Sequence, residues 1–372
     1  NILSDLGQYN ESIVARDWIL AQDPDDANQK AMVGRCLRGK GAYDAATIYL
    51  GNALADHPDH VELRMQLAFA QLGAGDYVAG FETYRVRWET GEMKPRNLPY
   101  PEWQGEPLAG KSVLVLPEQG FGDAILFARF VKMLKVDGAQ VYLLAEKPVA
   151  PLFEGLEGAD WVGTTLSKST DIDFCVTSMD IARIYFAHAD RIPEPVALHV
   201  PDDAKARAAA FLAPYKDKLK IGVVWTGSTT YKGNGFRSFS HTNFLRIADI
   251  PGVQLVSLYK GPALAAFHAD GSDAFILDAG ATDRNFGDSA AMMLGLDLVI
   301  SSDTATLHLA GSLGVPTWGV LHWDPFWVWG HQGDHTPWYP GMRLFRQKQA
   351  LVWADVMADV ETALLDYQKG FP

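Results

Sequence analysis

Three residue types recur at a fixed interval in the first third of the chain. The recurring positions are the glycines Gly7, Gly41 and Gly75, the tyrosines Tyr9, Tyr43 and Tyr77, and the prolines Pro24 and Pro58. The interval is about 34 residues, which is the length of one helix pair in a common class of helical repeat. Because proline cannot continue a helix, each Pro-Asp step predicts a helix end. The spacing therefore predicts stacked helix pairs over residues 1–92.

The repeat resembles the tetratricopeptide (TPR) repeat over Asn1 to Glu92. Glu92 stands where the repeat would have its terminal proline, so the array is expected to end there. The resemblance implies a concave surface that binds a peptide or protein. Two interpretations stay open: the array binds a protein acceptor, or it only packs on the following domain or dimerises the chain.

The rest of the chain alternates short β-rich runs with helical stretches, after a proline-rich linker over residues 93–110. Predicted strands are Val113–Leu116, Val141–Leu144, Ile172–Val176, Ala197–Val200, Ile221–Trp225, Val253–Leu258, Phe275–Leu277, Leu296–Ser301 and Thr317–Leu321. Predicted helices are Ala124–Lys135, Phe244–Ile250, Ser289–Gly295 and Ala305–Leu313. Such alternation is typical of parallel sheets covered by helices.

This pattern predicts an α/β fold with two Rossmann-like domains facing each other across a cleft. The first would span residues 111–215 and the second residues 216–348, and residues 349–372 would form a closing helix. Ligands of open α/β sheets bind beyond the carboxyl ends of the strands, so the turns from strand to helix are the places to look for chemistry.

Charge and composition exclude several classes of protein. The net charge of -13 argues against a nucleic-acid partner, because phosphate backbones need a basic surface. Cys36 and Cys175 are far apart and do not form a disulfide framework, which favours a cytoplasmic location. No apolar run reaches the length of a membrane span.

The first turn whose residues could bind a ligand or take part in catalysis follows the first predicted strand. It contains Gly120, Gly122 and Asp123, where the glycines let a ligand approach the backbone and Asp123 stands at a helix start. Ile125 replaces the third glycine of a dinucleotide-binding fingerprint, which argues against a dehydrogenase. Asp123 is predicted either to cap the helix or to act as a general base on an acceptor hydroxyl.

The second turn follows the first strand of the second half. It is rich in glycine and hydroxyl groups and carries two cations, which suit a phosphate-bearing ligand. The residues concerned are Thr226, Gly227, Ser228, Lys232 and Arg237. An ordinary solvated loop is the alternative.

The third turn runs from a buried strand directly into a helix. Free N–H groups at such a helix start can bind an anion. The residues concerned are Ser302, Asp303, Thr304, Ala305 and His308. Thr304 and His308 are four residues apart and are predicted to share a helix face, although a histidine in this position is also commonly a packing residue.

Aromatic residues are dense from Trp323 to Trp329 and again at Trp338 and Tyr339. Their rings are predicted either to line a sugar or base site or to wedge two domains together. His331, Asp334 and His335 form no convincing metal-ligand pattern, so no metal is predicted.

Together the three turns resemble the family 9 glycosyltransferases, the ADP-heptose lipopolysaccharide heptosyltransferases, which have the GT-B fold. Gly122-Asp123 is similar to a Gly-Asp turn whose aspartate is the family's proposed base. Lys232 is similar to a lysine that contacts donor phosphate, and Asp303-Thr304-Ala305-x-x-His308-Leu309 is similar to the segment at the donor diphosphate. The resemblance covers roughly Trp103 to Gln347 and is closest to TPR-fused bacterial proteins with such a domain, which are plausible modifiers of proteins such as flagellin. The domain order also resembles that of the protein O-GlcNAc transferases.

The resemblance implies a metal-independent glycosyltransferase that uses a nucleotide-sugar as substrate and needs no cofactor. Asp123 would be the base, and the donor would be held by Gly120, Gly122, Thr226, Gly227, Ser228, Lys232, Arg237, Ser302, Asp303, Thr304, Ala305 and His308. Two alternatives stay open: a non-catalytic scaffold with a nucleotide-binding or degenerate domain, and a sugar-nucleotide epimerase. The sequence does not identify the nucleotide base of the donor, the sugar or the acceptor.

Overall fold

The computed structural model describes residues 1–91, 93, 98–167 and 169–370. Glu92, residues 94–97 of the predicted linker and the last two residues of the predicted closing segment lie outside these ranges. The chain begins with six helices: α1 (Ile2–Asp5), α2 (Tyr9–Leu20), α3 (Ala27–Gly39), α4 (Tyr43–Asp56), α5 (Val61–Ala74) and α6 (Tyr77–Thr83). A 3-10 segment, Tyr84–Glu89, follows. We call residues 2–89 the helical array.

The helices of the array start at the interval that the sequence predicts. Helices α2, α4 and α6 begin at Tyr9, Tyr43 and Tyr77. The glycine two residues before each start has a φ of 70°, 73° or 85°, a left-handed conformation that glycine adopts without strain. Pro24 and Pro58 lie just beyond the ends of α2 and α4, so they end one helix without interrupting the next.

The first sheet has four parallel strands within the described residues, in the order β3-β2-β1-β4. The strands are β1 (Ser112–Leu116), β2 (Gln140–Leu144), β3 (Trp161–Gly163) and β4 (Phe174–Thr177). The accompanying helices are α7 (Phe121–Phe127), α8 (Val131–Val136) and α9 (Ser178–Phe186), with 3-10 turns at Ala128–Phe130 and Ala150–Phe153.

The second sheet has six parallel strands among the described residues, in the order β10-β9-β8-β5-β6-β7. The strands are β5 (Leu219–Val224), β6 (Val253–Ser257), β7 (Ile276–Asp278), β8 (Leu298–Ser302), β9 (Thr317–Leu321) and β10 (Met342–Arg346). The helices are α10 (Asp202–Leu212), α11 (Asn234–Arg237), α12 (Leu245–Ala248), α13 (Leu264–Ala269), α14 (Phe286–Leu294), α15 (Ala305–Ser312) and α16 (Ala354–Lys369). Short 3-10 turns lie at Ala213–Tyr215, His241–Phe244, Ser272–Ala274, Gly280–Thr282 and Trp327–Trp329.

The predicted strand at Ala197–Val200 is wrong. Residues 191–201 have no regular secondary structure. Pro193, Pro195 and Pro201 surround the segment and lack the N–H that a ladder requires. Val196 and Val200 are nevertheless buried, so their apolar side chains fill the core without pairing in a sheet.

Helix α10 packs with the second half although it precedes the predicted boundary at residue 216. Arg207 on α10 is ion-paired with Asp288 on α14, and Arg284 bonds both Asp203 and Asp288. Helix α16 also packs on the second half, where Tyr367 contacts Trp318 of β9. No described helix is long and apolar enough to cross a lipid bilayer.

The helical array contacts both sheet-containing halves. On the first half, Arg87 is ion-paired with Glu118 and Asp180. On the second half, Arg38 is ion-paired with Asp324 at 2.9 Å. A cluster of aromatic rings also joins all three regions: Tyr77, Phe81, Phe127, Phe130, Phe186, Trp327 and Trp338.

Candidate functional site

Each of the three turns lies where its sheet reverses the direction in which strands are added. In the first sheet that place is β1, which has β2 on one side and β4 on the other. In the second sheet it lies between β5 and β8, where Val224 pairs with Ser301. A crevice forms at such a switch point, beyond the carboxyl ends of the strands. The topology therefore puts the turns after β1, β5 and β8 in the positions where α/β sheets bind ligands.

The sequence predicts Asp123 at the N-cap of a helix. In the structure Asp123 instead lies in the first turn of α7. The helix begins at Phe121 with Gly120 as the cap. Asp123 Oδ2 accepts a hydrogen bond from the Gly120 N–H at 3.0 Å. The carboxylate therefore supports the helix start while its side chain remains partly exposed.

The surroundings of Asp123 favour its neutral form. Burial raises the pKa of Asp123 to about 7; the hydrogen bond from Gly120 opposes the rise, and the charges of Glu118 and Asp303 add to it. A carboxyl group with such a pKa is partly ionised at neutral pH and is a stronger base than an ordinary aspartate. Asp303 belongs to the other half of the molecule.

Helices α7 and α15 approach each other at Gly122. A Cβ atom added to Gly122 would lie 2.8 Å from His308 Cδ2 and 3.4 Å from Ala305 Cα. Only a residue without a side chain allows this distance. Asp123 and His308 therefore lie beside the contact between α7 and α15, each on a different half of the molecule, where the ligand crevice of such a fold is expected.

At the start of α15, the three polar residues Ser302, Asp303 and Thr304, any of which could cap the helix, have different partners. Thr304 is the N-cap residue, and its Oγ1 accepts the Thr306 N–H at 3.3 Å. Asp303 Oδ1 accepts the indole N–H of Trp329 at 2.8 Å, and Ser302 Oγ is buried without a hydrogen-bond partner among the described residues. Only Thr304 therefore caps the helix.

His308 is buried beside two rings of the aromatic segment. It lies 4.9 Å from the Trp329 ring centre, and its Nδ1 is 3.2 Å from the Tyr339 hydroxyl. Burial lowers the pKa of His308 to about 4. The imidazole is therefore neutral at pH 7 and can offer a ligand a hydrogen bond but not a charge. Trp329 and Tyr339 support the crevice wall, so the wedge interpretation of these rings fits their burial.

The loop after β5 is held together by Asn234. Its Oδ1 accepts the Gly227 N–H at 3.1 Å and Arg237 Nε at 3.2 Å, while its Nδ2 donates to Thr226 Oγ1 at 3.0 Å. This network folds the loop back at its two ends, while residues 228–232 between them are exposed.

Gly227 brings Arg237 to the start of α15. A Cβ atom added to Gly227 would lie 2.7 Å from Arg237 Nη2 and 3.0 Å from Thr304 Cγ2. The guanidinium also stacks on the Tyr231 ring at 4.5 Å. Ser228, whose hydroxyl is 2.7 Å from that of Thr230, and Lys232 are exposed in the same loop. A cation, hydroxyl groups and a helix start thus converge, which is the chemistry of a phosphate site.

Several residues of this region give no signal in the sequence. Gln119, with a φ of 58°, shows its strain only in three dimensions. Arg87 lies 31 residues from Glu118 and 93 from Asp180, so no local pattern links them.

The residues noted for a possible metal trio separate in the structure. His331 bonds Asp324 and the Tyr43 hydroxyl, whereas His335 bonds Asp334. Within the described ranges, no three His, Cys, Asp or Glu side chains are grouped so that they could hold a metal ion.

A polar groove of about 500 Å³ lies outside the crevice, between the array and the second half. Its lining includes Gln8, Tyr9, Trp323 and Lys348. Trp323 also contacts Phe236 of the loop after β5, at 5.6 Å between ring centres.

Comparison with known proteins gives two kinds of similarity. No family model matches the sequence. The chain is 28% identical over 402 aligned positions to Protein FlbA of Caulobacter vibrioides, in an alignment that covers 98% of this chain. The chain spans about two thirds (66%) of the length of that relative.

Solved structures are similar in fold. The glycosyl transferase family 9 protein from Veillonella parvula matches with a TM-score of 0.52 and 12% identity, over 70% of this chain and 97% of that one. The E. coli ADP-heptose lipopolysaccharide heptosyltransferase II matches with a TM-score of 0.50 and 13% identity, over 69% and 99%. The mixed α/β architecture with parallel sheets therefore resembles that of the GT-B glycosyltransferases, and an all-α region precedes it.

Proposed function

We propose that the chain is a glycosyltransferase that moves a sugar from a nucleotide-sugar donor to an acceptor hydroxyl, without a metal ion. The observation that supports the proposal is the contact between α7 and α15 at Gly122, which brings Asp123, a carboxyl group of raised pKa, close to the candidate phosphate site at the start of α15. A GT-B-like fold alone would not support an activity, since folds host many functions.

The second half would hold the donor. Arg237, Lys232, the Thr304 hydroxyl and the start of α15 would bind the diphosphate. A helix start stabilises an anion by about 0.3–1 kcal/mol when exposed and up to about 2 kcal/mol when partly buried. These groups would stabilise the leaving phosphate as the bond from the anomeric carbon to the phosphate oxygen breaks. Neutral His308 would orient the donor without adding charge.

The first half would activate the acceptor. Asp123 would take the proton from the acceptor hydroxyl as its oxygen forms the new bond to the anomeric carbon. General-base assistance of this kind is worth about 10²–10⁴-fold. The products are the glycosylated acceptor, the nucleotide and protonated Asp123, which then releases its proton to solvent.

The helical array is the candidate site for a protein acceptor, as its TPR-like spacing suggests. A bound protein would raise the local concentration of the acceptor group near Asp123. This role is separate from the chemistry of the crevice and is tested separately, by comparing a protein acceptor with its isolated peptide.

Asp123→Ala tests the proposal. Sugar nucleotides of uridine, adenosine, guanosine and cytidine are incubated with each protein with water as the surrogate acceptor hydroxyl, and the release of nucleotide and free sugar is measured. We expect the wild type to release one nucleotide and the variant to release none while still binding that nucleotide. Normal release by Asp123→Ala would exclude its role as the base, and interconversion of the sugar without release would indicate an epimerase.

A further inference from the structure

The helical array reaches the turn that carries Asp123. Arg87 donates from Nε to Glu118 Oε1 at 2.5 Å and from Nη2 to Glu118 Oε2 at 3.2 Å. The same Nη2 donates to Asp180 Oδ2 at 2.9 Å. All three side chains are buried, so the ion triad is shielded from water. Glu118 lies between β1 and α7, two residues before Gly120.

The array also contacts the residue after Glu118. Gln119 adopts a φ of 58°, and its Nε2 donates to the Tyr84 hydroxyl at 3.0 Å. A residue other than glycine is strained in this conformation and keeps it only when its surroundings hold it there. Tyr84 and Arg87 thus hold two consecutive residues of the turn, and the next residue, Gly120, bonds Asp123.

We propose that Arg87 is a positioning residue for the base: by binding Glu118, the array sets the location and the charge environment of Asp123. This inference rests on the proposed function and deepens it, because it makes the array part of the catalytic centre. Arginine suits the role, since its planar fork can contact two carboxylates at fixed angles and a lysine ammonium cannot.

The charge of Glu118 gives the proposal a readout that packing alone would not move. The groups that face Asp123 are Glu118 beside it, Asp303 and neutral His308 across the crevice, and the hydroxyls of Tyr84, Tyr231 and Tyr339. Glu118 and Asp303 carry the negative charges among them. Glu118→Gln keeps the shape of the side chain and removes one of these charges, so the pKa of Asp123 should fall.

The first test needs no substrate. The free energy of unfolding is measured between about pH 4 and pH 9 for the wild type, Asp123→Asn, Glu118→Gln and the double variant. Because the pKa of Asp123 is raised by folding, the wild type loses stability relative to Asp123→Asn as pH rises, until about pH 7. In the Glu118→Gln background the loss should be smaller and end at a lower pH. An identical loss in both backgrounds would overturn the proposal.

The second test measures turnover with the sugar nucleotide that the wild type uses. Arg87→Lys, checked for folding by circular dichroism, should lower kcat about tenfold or more while the KM for the donor stays unchanged. Glu118→Gln should shift the pH midpoint of turnover to lower pH. Arg85→Lys is the matched control, because Arg85 lies on the same 3-10 segment and pairs with Glu82 at the surface.

Wild-type kcat in a folded Arg87→Lys variant would contradict the positioning role. If Arg87→Lys does not fold, Glu118→Gln still decides the question through the pH profile. If the wild type transfers no sugar at all, the proposed function fails, while the stability measurement still decides whether the Arg87–Glu118 pair acts on Asp123.

Discussion

Asp123 has an environment that costs stability and would suit the proposed general base. Burial and the charges of Glu118 and Asp303 raise its pKa, so the folded state holds a proton that an unfolded chain would release. The same shift gives the carboxylate a higher proton affinity close to neutral pH, which suits a general base.

The pKa of Asp123 predicts how the rate depends on pH. Only the ionised carboxylate can accept a proton, so kcat/KM should rise with pH and reach half of its plateau near the pKa of about 7. The measurement is kcat/KM for the donor across the pH range in which the protein stays folded. A profile that is already flat around pH 5 would show that a group with an ordinary carboxyl pKa acts instead.

Arg237 is predicted to bind the donor and not to take part in proton transfer. Arg237→Met should weaken nucleotide binding about tenfold, because a hydrogen bond to a charged group is worth about 1.5–3 kcal/mol. The pH midpoint of turnover should stay unchanged. Arg246→Met serves as the control, since Arg246 is an exposed arginine of the same half that pairs with Glu361.

The candidate site could be predicted at the residues whose neighbours in sequence are also neighbours in space. Thr304 at the start of α15 is such a residue, because strand and helix periodicity locate its turn. The support given by Trp329 and Arg87 depends on contacts between distant segments, and no spacing in the sequence encodes such contacts.

At the scale of elements, the contact between α7 and α15 depends on Gly122. Gly122→Ala would bring a methyl group within 2.8 Å of His308, whose ring is confined by Trp329. Overpacking of this kind costs about 1–3 kcal/mol. We expect a lower free energy of unfolding together with a lower kcat, because the two walls of the crevice must separate.

Gly51→Ala provides the contrast. Gly51 lies in the middle of α4 with no atom within 4 Å of an added Cβ, so alanine should stabilise the helix by about 0.5–1 kcal/mol. If Gly122→Ala behaved like Gly51→Ala, the close approach of the two helices would not exist in solution.

Strand-helix alternation predicts the order of most elements. It fails where an apolar segment contains prolines and where a strand carries charged residues. The segment at Ala197–Val200 is apolar enough for a strand, but its prolines prevent pairing. Strand β10 escapes prediction because it carries Arg343 and Arg346. Arg346 donates to the carbonyl oxygens of Trp329, Gly330, Gln332 and Gly333. Its guanidinium therefore stabilises the backbone at the end of the aromatic segment.

For the whole molecule, the array joins the two halves. It bonds the first half through Arg87 and the second through Arg38. The Tyr77 hydroxyl of the array also accepts the indole N–H of Trp338 at 3.1 Å. Large closing motions of one half against the other would have to break these contacts. We therefore expect the array and both halves to unfold in one transition.

Asp324 tests this coupling. Burial alone would raise its pKa, but Arg38, His331 and Arg35 hold the pKa of Asp324 well below its usual range. Asp324→Ala removes the carboxylate that pairs with buried Arg38, while Arg35 keeps its ion pair with Asp5, and the loss should cost about 3–5 kcal/mol in the free energy of unfolding at pH 7.

The difference in the free energy of unfolding between the wild type and Asp324→Ala should shrink as pH falls below the usual aspartate range, because a carboxylate with a depressed pKa contributes stability only while it is ionised. Denaturant unfolding at neutral and acidic pH measures this difference. Two separate transitions in the wild type would show that the array folds independently.

The most direct test of the central claim is the unfolding temperature in the presence of UDP, ADP, GDP, CMP and their sugars, with and without EDTA. The account predicts that one nucleotide stabilises the wild type and Asp123→Ala equally, by about 2.7 kcal/mol at a hundredfold excess over Kd, and that EDTA changes nothing. Gly227→Ala, which would push Arg237 away from Thr304, should lose the stabilisation. Stabilisation by none of the nucleotides, or the same stabilisation in Gly227→Ala, would contradict a donor site at the start of α15.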